Sequence, residues 1–84
     1  MPHDPIQTLG ESLGKRITIK CKRSKTFIGI LKSFNAHLNV LLEDVTYKYF
    51  ERDPENEENL LEKTENFNKL VLRGDSIVFI GFEQ

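Results

Sequence analysis

Residues 26–50, TFIGILKSFNAHLNVLLEDVTYKYF, decide the fold. Thr26–Phe34 reads as a strand apolar on both faces, with Gly29 inside it. A mid-strand glycine weakens pairing unless it permits a sharp bend or a close backbone approach. Asn35-Ala36-His37 turns the chain, and Leu38–Phe50 resumes as a long third strand. Upstream, Arg16–Lys22 alternates with a period of two. Ile17, Ile19 and Cys21 share one face, which makes this a half-buried first strand with Cys21 in the core. Arg23-Ser24-Lys25 is a tight turn joining it to the second. Further back, Pro5–Leu13 places Ile6, Leu9 and Leu13 at helical spacing. Asp4 serves as cap, Pro5 takes the first helical position and Gly14 stops the helix.

Downstream of the third strand, Glu51–Asn59 is too polar to pack and contains Pro54, so it is expected as a surface loop. Leu60–Leu72 is a fourth strand, best patterned at Phe67, Leu70 and Leu72, and forms a hairpin with the third. Arg73-Gly74-Asp75 turns the chain into a fifth strand, Ser76–Phe82, apolar on both faces. The expected order is a short helix and then five antiparallel strands in a meander. Five short strands in so few residues suggest a small barrel of the SH3-like or OB type. An edge strand apolar on both faces invites pairing with another chain. Repeated head to tail, such a contact closes into a ring or runs on as a fibre, and the ring is the soluble outcome.

With 84 residues, 38% of them apolar, the chain supports one domain with a marginal core. Its lone Cys21 forbids an intrachain disulfide, and His3 and His37 lack metal-site spacing, so oligomerisation is the expected support. No apolar run approaches the roughly 18 residues of a membrane span, and the first residues lack a signal peptide's basic-then-apolar pattern. A free cysteine suits a reducing compartment, so the cytoplasm is expected and a membrane is not. The net charge of −1 conceals an asymmetry. Residues 15–32 carry seven bases and no acid, whereas residues 43–65 carry nine acids against three bases. A basic block suits a polyanionic partner, and an acidic run is ordinarily a solvated surface.

Two motifs then stand out. The first, over about residues 27–45, is Phe27-x-Gly29-x-Leu31-x-x-Phe34-Asn35-x-His37-Leu38-Asn39-Val40-x-Leu42. The second, over about residues 70–81, contains Leu70-Val71-Leu72-Arg73-Gly74-Asp75-Ser76-Ile77. Together and in this order they resemble the Sm/Lsm family of RNA-binding proteins, from about Pro5 to Phe82. The Arg-Gly-Asp form with His37 looks most like the archaeal Sm-like proteins. The resemblance implies one Sm-like domain across residues 1–84: a mostly β, strongly bent five-stranded antiparallel barrel of SH3 type with a short N-terminal helix. It further implies a closed ring of six or seven subunits in which the fourth strand of one subunit pairs with the fifth strand of its neighbour. The archaeal likeness favours a homoheptamer, and a mixed ring of the eukaryotic Lsm kind is the alternative.

By the same resemblance, the two turns form an RNA site at the pore. His37 matches the position that stacks on a base, and Arg73 the cation on its other face. Asn39 matches the residue that bonds the base edge, preferring uracil. Gly74 keeps the turn slim, and Asp75 orients the arginine. Asn35 stands where the family usually has Asp; it keeps an acceptor and tolerates turn geometry but loses the charge. The chemistry is sound in itself, since single-stranded RNA is read by stacking splayed bases on flat groups and bonding their edges. Without the motifs, each of these residues has a plain structural use in a turn.

The expected function is non-catalytic binding of uridine-rich single-stranded RNA in RNA processing, with no cofactor and no DNA. The alternative is a ribonucleoprotein assembly scaffold with protein partners and a vestigial pocket. Catalysis is disfavoured because no Gly-rich phosphate loop, metal cluster or triad spacing occurs. Lys22, Arg23 and Lys25, in the turn after the first strand, are candidates for phosphate contact, against the plain reading of a solvated basic turn.

Overall fold

The computed structural model describes residues 5–82. Helix α1 spans Pro5–Glu11, followed by strands β1 (Arg16–Cys21), β2 (Lys25–Phe34), β3 (Val40–Arg52), β4 (Leu60–Leu72) and β5 (Ile77–Phe82). Short 3-10 turns at Lys22–Ser24 and Gly74–Ser76 join β1 to β2 and β4 to β5.

The helix is shorter than its apolar spacing suggests. The Ser12 amide donates to the Leu9 carbonyl and closes the last turn, while Gly14, at φ 80°, donates to Leu31 and carries the chain into the sheet. Leu13 therefore lies beyond the helix and is exposed, as is Ile6, and only Leu9 plugs the core. The expected Asp4 cap lies outside the described residues.

The sheet order is β4-β3-β2-β1-β5, antiparallel throughout. This corrects the simple meander: the first four strands follow one another, but β5 crosses to pair with β1, with Ile19 opposite Ile80. β4 and β5 are thus the two free edges. Hydrophobic periodicity names strands but not partners, because pairing is a long-range property.

The bend has a local cause. Opposite Gly29, β3 holds two residues where β2 holds one: Ile28 faces Thr46 and Ile30 faces Glu43, with Asp44 at φ 53°. Such a bulge kinks the strand and deepens its twist. A Cβ on Gly29 would lie 3.0 Å from the Glu43 carbonyl oxygen and 3.2 Å from a Val45 methyl. The curled sheet encloses Leu9, Ile17, Ile19, Cys21, Phe27, Leu31, Val40, Leu42, Val45 and Leu72.

The expected loop at residues 51–59 is partly strand. Glu51 and Arg52 pair with Leu61 and Leu60, and the connection begins only at Asp53, whose amide donates to the Asn59 carbonyl. Asp53 and Asn56 accept from the amides of Glu55 and Glu58. Polar side chains cannot pack a core, but they leave the backbone free to pair, and these two-residue side-chain turns carry the tip.

Candidate nucleic-acid interface

Residues 35–39 form a braced turn. The Asn35 side-chain oxygen accepts from the amides of His37 at 2.9 Å and Asn39 at 3.1 Å. The Asn35 amide donates to the Asn39 carbonyl at 3.1 Å. Leu38 adopts a left-handed conformation, φ 61°, and packs against the core while its neighbours His37 and Asn39 flank the turn. Asn35 thus performs the bracing with a neutral oxygen.

The second turn is fixed from inside. The Arg73 carbonyl accepts from the Ser76 amide at 3.1 Å and from the Ser76 hydroxyl at 2.8 Å. The Arg73 guanidinium donates to Asp75 Oδ2 at 3.2 Å, with both side chains largely in solvent. In that setting the pair contributes little stability, and its consequence is the direction of the guanidinium.

One bond joins the turns. The Gly74 amide donates to Asn39 Oδ1 at 2.8 Å, across 35 residues of sequence. Because an N–H must meet an oxygen, this fixes which way the Asn39 carboxamide faces. Oδ1 keeps a second lone pair, and among the described residues no protein acceptor meets Nδ2. The carboxamide therefore presents an acceptor and a donor side by side, as a carbonyl–NH edge requires.

Gly74 has a different reason to be glycine than a slim approach for a ligand. A Cβ there would stand 2.0 Å from the His37 carbonyl oxygen and 3.0 Å from the Leu38 carbonyl carbon. The two turns pack backbone against backbone, and only the missing side chain allows it.

His37, Asn39, Arg73, Gly74 and Asp75 line one open cleft of about 500 Å³. All five residues expected from the sequence are brought together. Imidazole and guanidinium planes are both exposed at its rim, with the carboxamide between them in sequence and partly buried. A larger, mostly apolar trough of about 600 Å³ runs between α1 and the free side of β5, touching Leu9, Leu38, Gly74, Phe79 and Phe82. Beside the cleft, Lys22, Arg23 and Lys25 line a further cavity with Arg73 and Asp75, an adjacency that sequence distance conceals.

Among the described residues, no three His, Cys, Asp or Glu side chains cluster as metal ligands. Burial pushes the Cys21 thiol above its usual range, against the opposing pull of the Ser76 hydroxyl and the Lys25 ammonium. A thiol held neutral makes a poor nucleophile.

A sequence model of the LSM domain matches residues 7–82. A probable U6 snRNA-associated Sm-like protein, LSm5 of Dictyostelium discoideum, is 32% identical over 76 residues, spanning 90% of this chain and 71% of that one. A heptameric archaeal Sm protein superposes with a TM-score of 0.70 at 31% identity, covering 93% of this chain and 98% of the other. The Sm protein of Pyrococcus abyssii, solved in complex with a uridine heptamer, gives 0.75 at 25% identity, covering 96% and 100%.

Proposed function

This chain belongs to the LSM-domain family, and from that premise we propose that it is a non-catalytic RNA-binding protein working as a closed ring of identical subunits, seven by our reading. Each subunit contributes one nucleotide pocket at the pore. His37 and Arg73 sandwich the base, Asn39 bonds its edge, Gly74 sets the turns in contact and Asp75 aims the arginine. Uridine fits this set, because one carboxamide serves its carbonyl–NH edge.

The observation that carries the reading is the Gly74–Asn39 bond, which fixes the base-reading group relative to the stacking groups before any ligand arrives. The similar proteins described as heptameric and as bound to a uridine heptamer support it. So do the two free sheet edges. On β5, Val78 and Phe79 are 68% and 58% exposed, and on β4 Leu60 and Val71 are each 62% exposed. Joining β4 of one subunit to β5 of the next removes both edges and covers the apolar trough. Weak pockets repeated around a pore then act together by multivalency. Uridine-rich single-stranded RNA in RNA processing is the proposed partner, and the cytoplasm the proposed compartment, in keeping with the free, buried Cys21.

A native mass spectrum with oligouridine tests the whole reading. The expected species lies near 69 kDa, seven chains of 9.8 kDa, with RNA bound. Arg73→Ala should keep the ring and lose the RNA. A ring that refuses RNA at low salt points instead to an assembly scaffold, and a monomer overturns the ring.

A further inference from the structure

The turn between β1 and β2 concentrates positive charge that the described residues leave unanswered. Of the seven bases in residues 15–32, Arg16 meets Asp44 at 3.0 Å and Lys32 meets Glu43 at 3.5 Å. Lys22, Arg23 and Lys25 are exposed and, among the described residues, have no acid within ion-pair distance. They line a cavity of about 420 Å³ together with Arg73, Asp75 and Ser76 and the apolar Phe27, Val71 and Leu72. The one carboxylate there, Asp75, is already taken by Arg73.

This cavity and the base cleft share Arg73 and Asp75. The Arg73–Asp75 pair is therefore a partition, with the flat groups of His37 and Asn39 on one side and, on the other, three cations that meet no acid among the described residues. A nucleotide has the same division, a planar base at one end of its sugar and a phosphodiester at the other. We infer that residues 22–25 are a phosphate-binding turn, gripping the backbone of the RNA strand whose bases enter the His37–Asn39–Arg73 cleft. The inference rests on the reading of that cleft as a base pocket and adds the path of the strand beyond it.

The charge makes the test specific. Single-strand affinity falls with salt, with a slope of about 0.7 for each phosphate neutralised. Oligouridine binding is titrated from 50 to 300 mM salt, on the assembled protein, for the wild type, Arg23→Asn/Lys25→Gln and a charge-matched control, Lys15→Gln/Lys32→Gln. Asn and Gln keep the polarity, and Asn tolerates the left-handed backbone at Arg23, φ 66°.

The expected result is a loss of about tenfold or more at low salt for Arg23→Asn/Lys25→Gln, with the slope flattened by about 0.7 per phosphate released. Preference for uridine over cytidine should stay unchanged, and the control should behave as wild type. An unchanged slope overturns the clamp and leaves the base pocket standing. Equal losses in both variants overturn it too, since bulk charge then explains the effect. A wild type that binds no oligouridine overturns the pocket and the clamp together.

Discussion

The turn at 35–39 and the turn at 22–25 are both short, exposed and left-handed in places, yet they are built oppositely. The first is saturated with internal bonds: Asn35 holds two amides and Asn39 holds Gly74. The second is a 3-10 turn with positive φ at both Arg23 and Ser24, and among the described residues no ion pair holds its three cations. Reading a base edge requires donors and acceptors fixed to within a fraction of an ångström, because a misplaced carboxamide loses its partner. Attracting a phosphate requires only nearby charge, which long flexible side chains deliver from many positions. On the proposed reading, side-chain bracing accompanies selectivity, and exposed charge accompanies attraction.

The strongest way to break this contrast is Gly74→Ala. The added methyl meets the His37 carbonyl, and backbone cannot yield as a flexible side chain does. The turns must part, which ruptures the Gly74–Asn39 bond. Thermal unfolding should show a loss of at least about 2 kcal/mol. Oligouridine affinity should fall by more than tenfold for each pocket engaged, as stacking at about 1–3 kcal/mol per base is lost. Full uridine binding by this variant would show that the base site does not depend on the joined turns.

Much of this was legible in the chain itself. Ile17, Ile19 and Cys21 alternate because one face of β1 is buried, and all three prove to be core. Gly29 signalled a bend that a bulge at Asp44 now explains. The pairing of β5 with β1 was not legible, because Ser76–Phe82 is apolar on both faces and carries no mark of which edge it joins. The five pocket residues came from the paired motifs by resemblance, since nothing in composition brings Asn39 beside Gly74. The left-handed Leu38 was equally silent: leucine rarely adopts it, and here core contact compensates. At 51–59 the polar composition concealed two paired residues, because strand pairing at an exposed edge belongs to the backbone.

A finer probe acts on the brace. Asn35→Ala deprives the His37 and Asn39 amides of their acceptor, and water replaces it only loosely in so tight a turn. The expected cost is about 1 kcal/mol of stability, with a clearer loss in uridine selectivity than in overall affinity. Asn35→Asp should do the reverse, since a charged acceptor bonds the same amides more strongly. Its gain should vanish on acidification below about pH 4, where the carboxylate protonates. Competition between oligouridine and oligocytidine reads both variants, and equal selectivity in all three proteins would remove Asn35 from the account.

The smallest effect lies where the two kinds of turn meet. Cys21 is the last residue of β1, from which the basic turn departs, and Ser76 closes the turn of the proposed base pocket against it. Burial raises the Cys21 thiol, so the folded chain holds this proton at a pH where the unfolded chain releases it. The sign follows: this contribution to stability is fully present below the unfolded thiol's value of about 8.5 and is lost as pH rises through the higher folded value. Urea midpoints should therefore decline above about pH 8.5, by no more than the one-proton limit of about 1.36 kcal/mol per pH unit. Cys21→Val, which keeps an apolar side chain on the buried face and removes the proton, should flatten that decline and leave neutral-pH binding unchanged. A decline of the same slope in Cys21→Val would assign the alkaline loss elsewhere. If the slope instead flattens and oligouridine affinity weakens over the same alkaline range in the wild type alone, then the buried thiol couples the braced turn to the basic one.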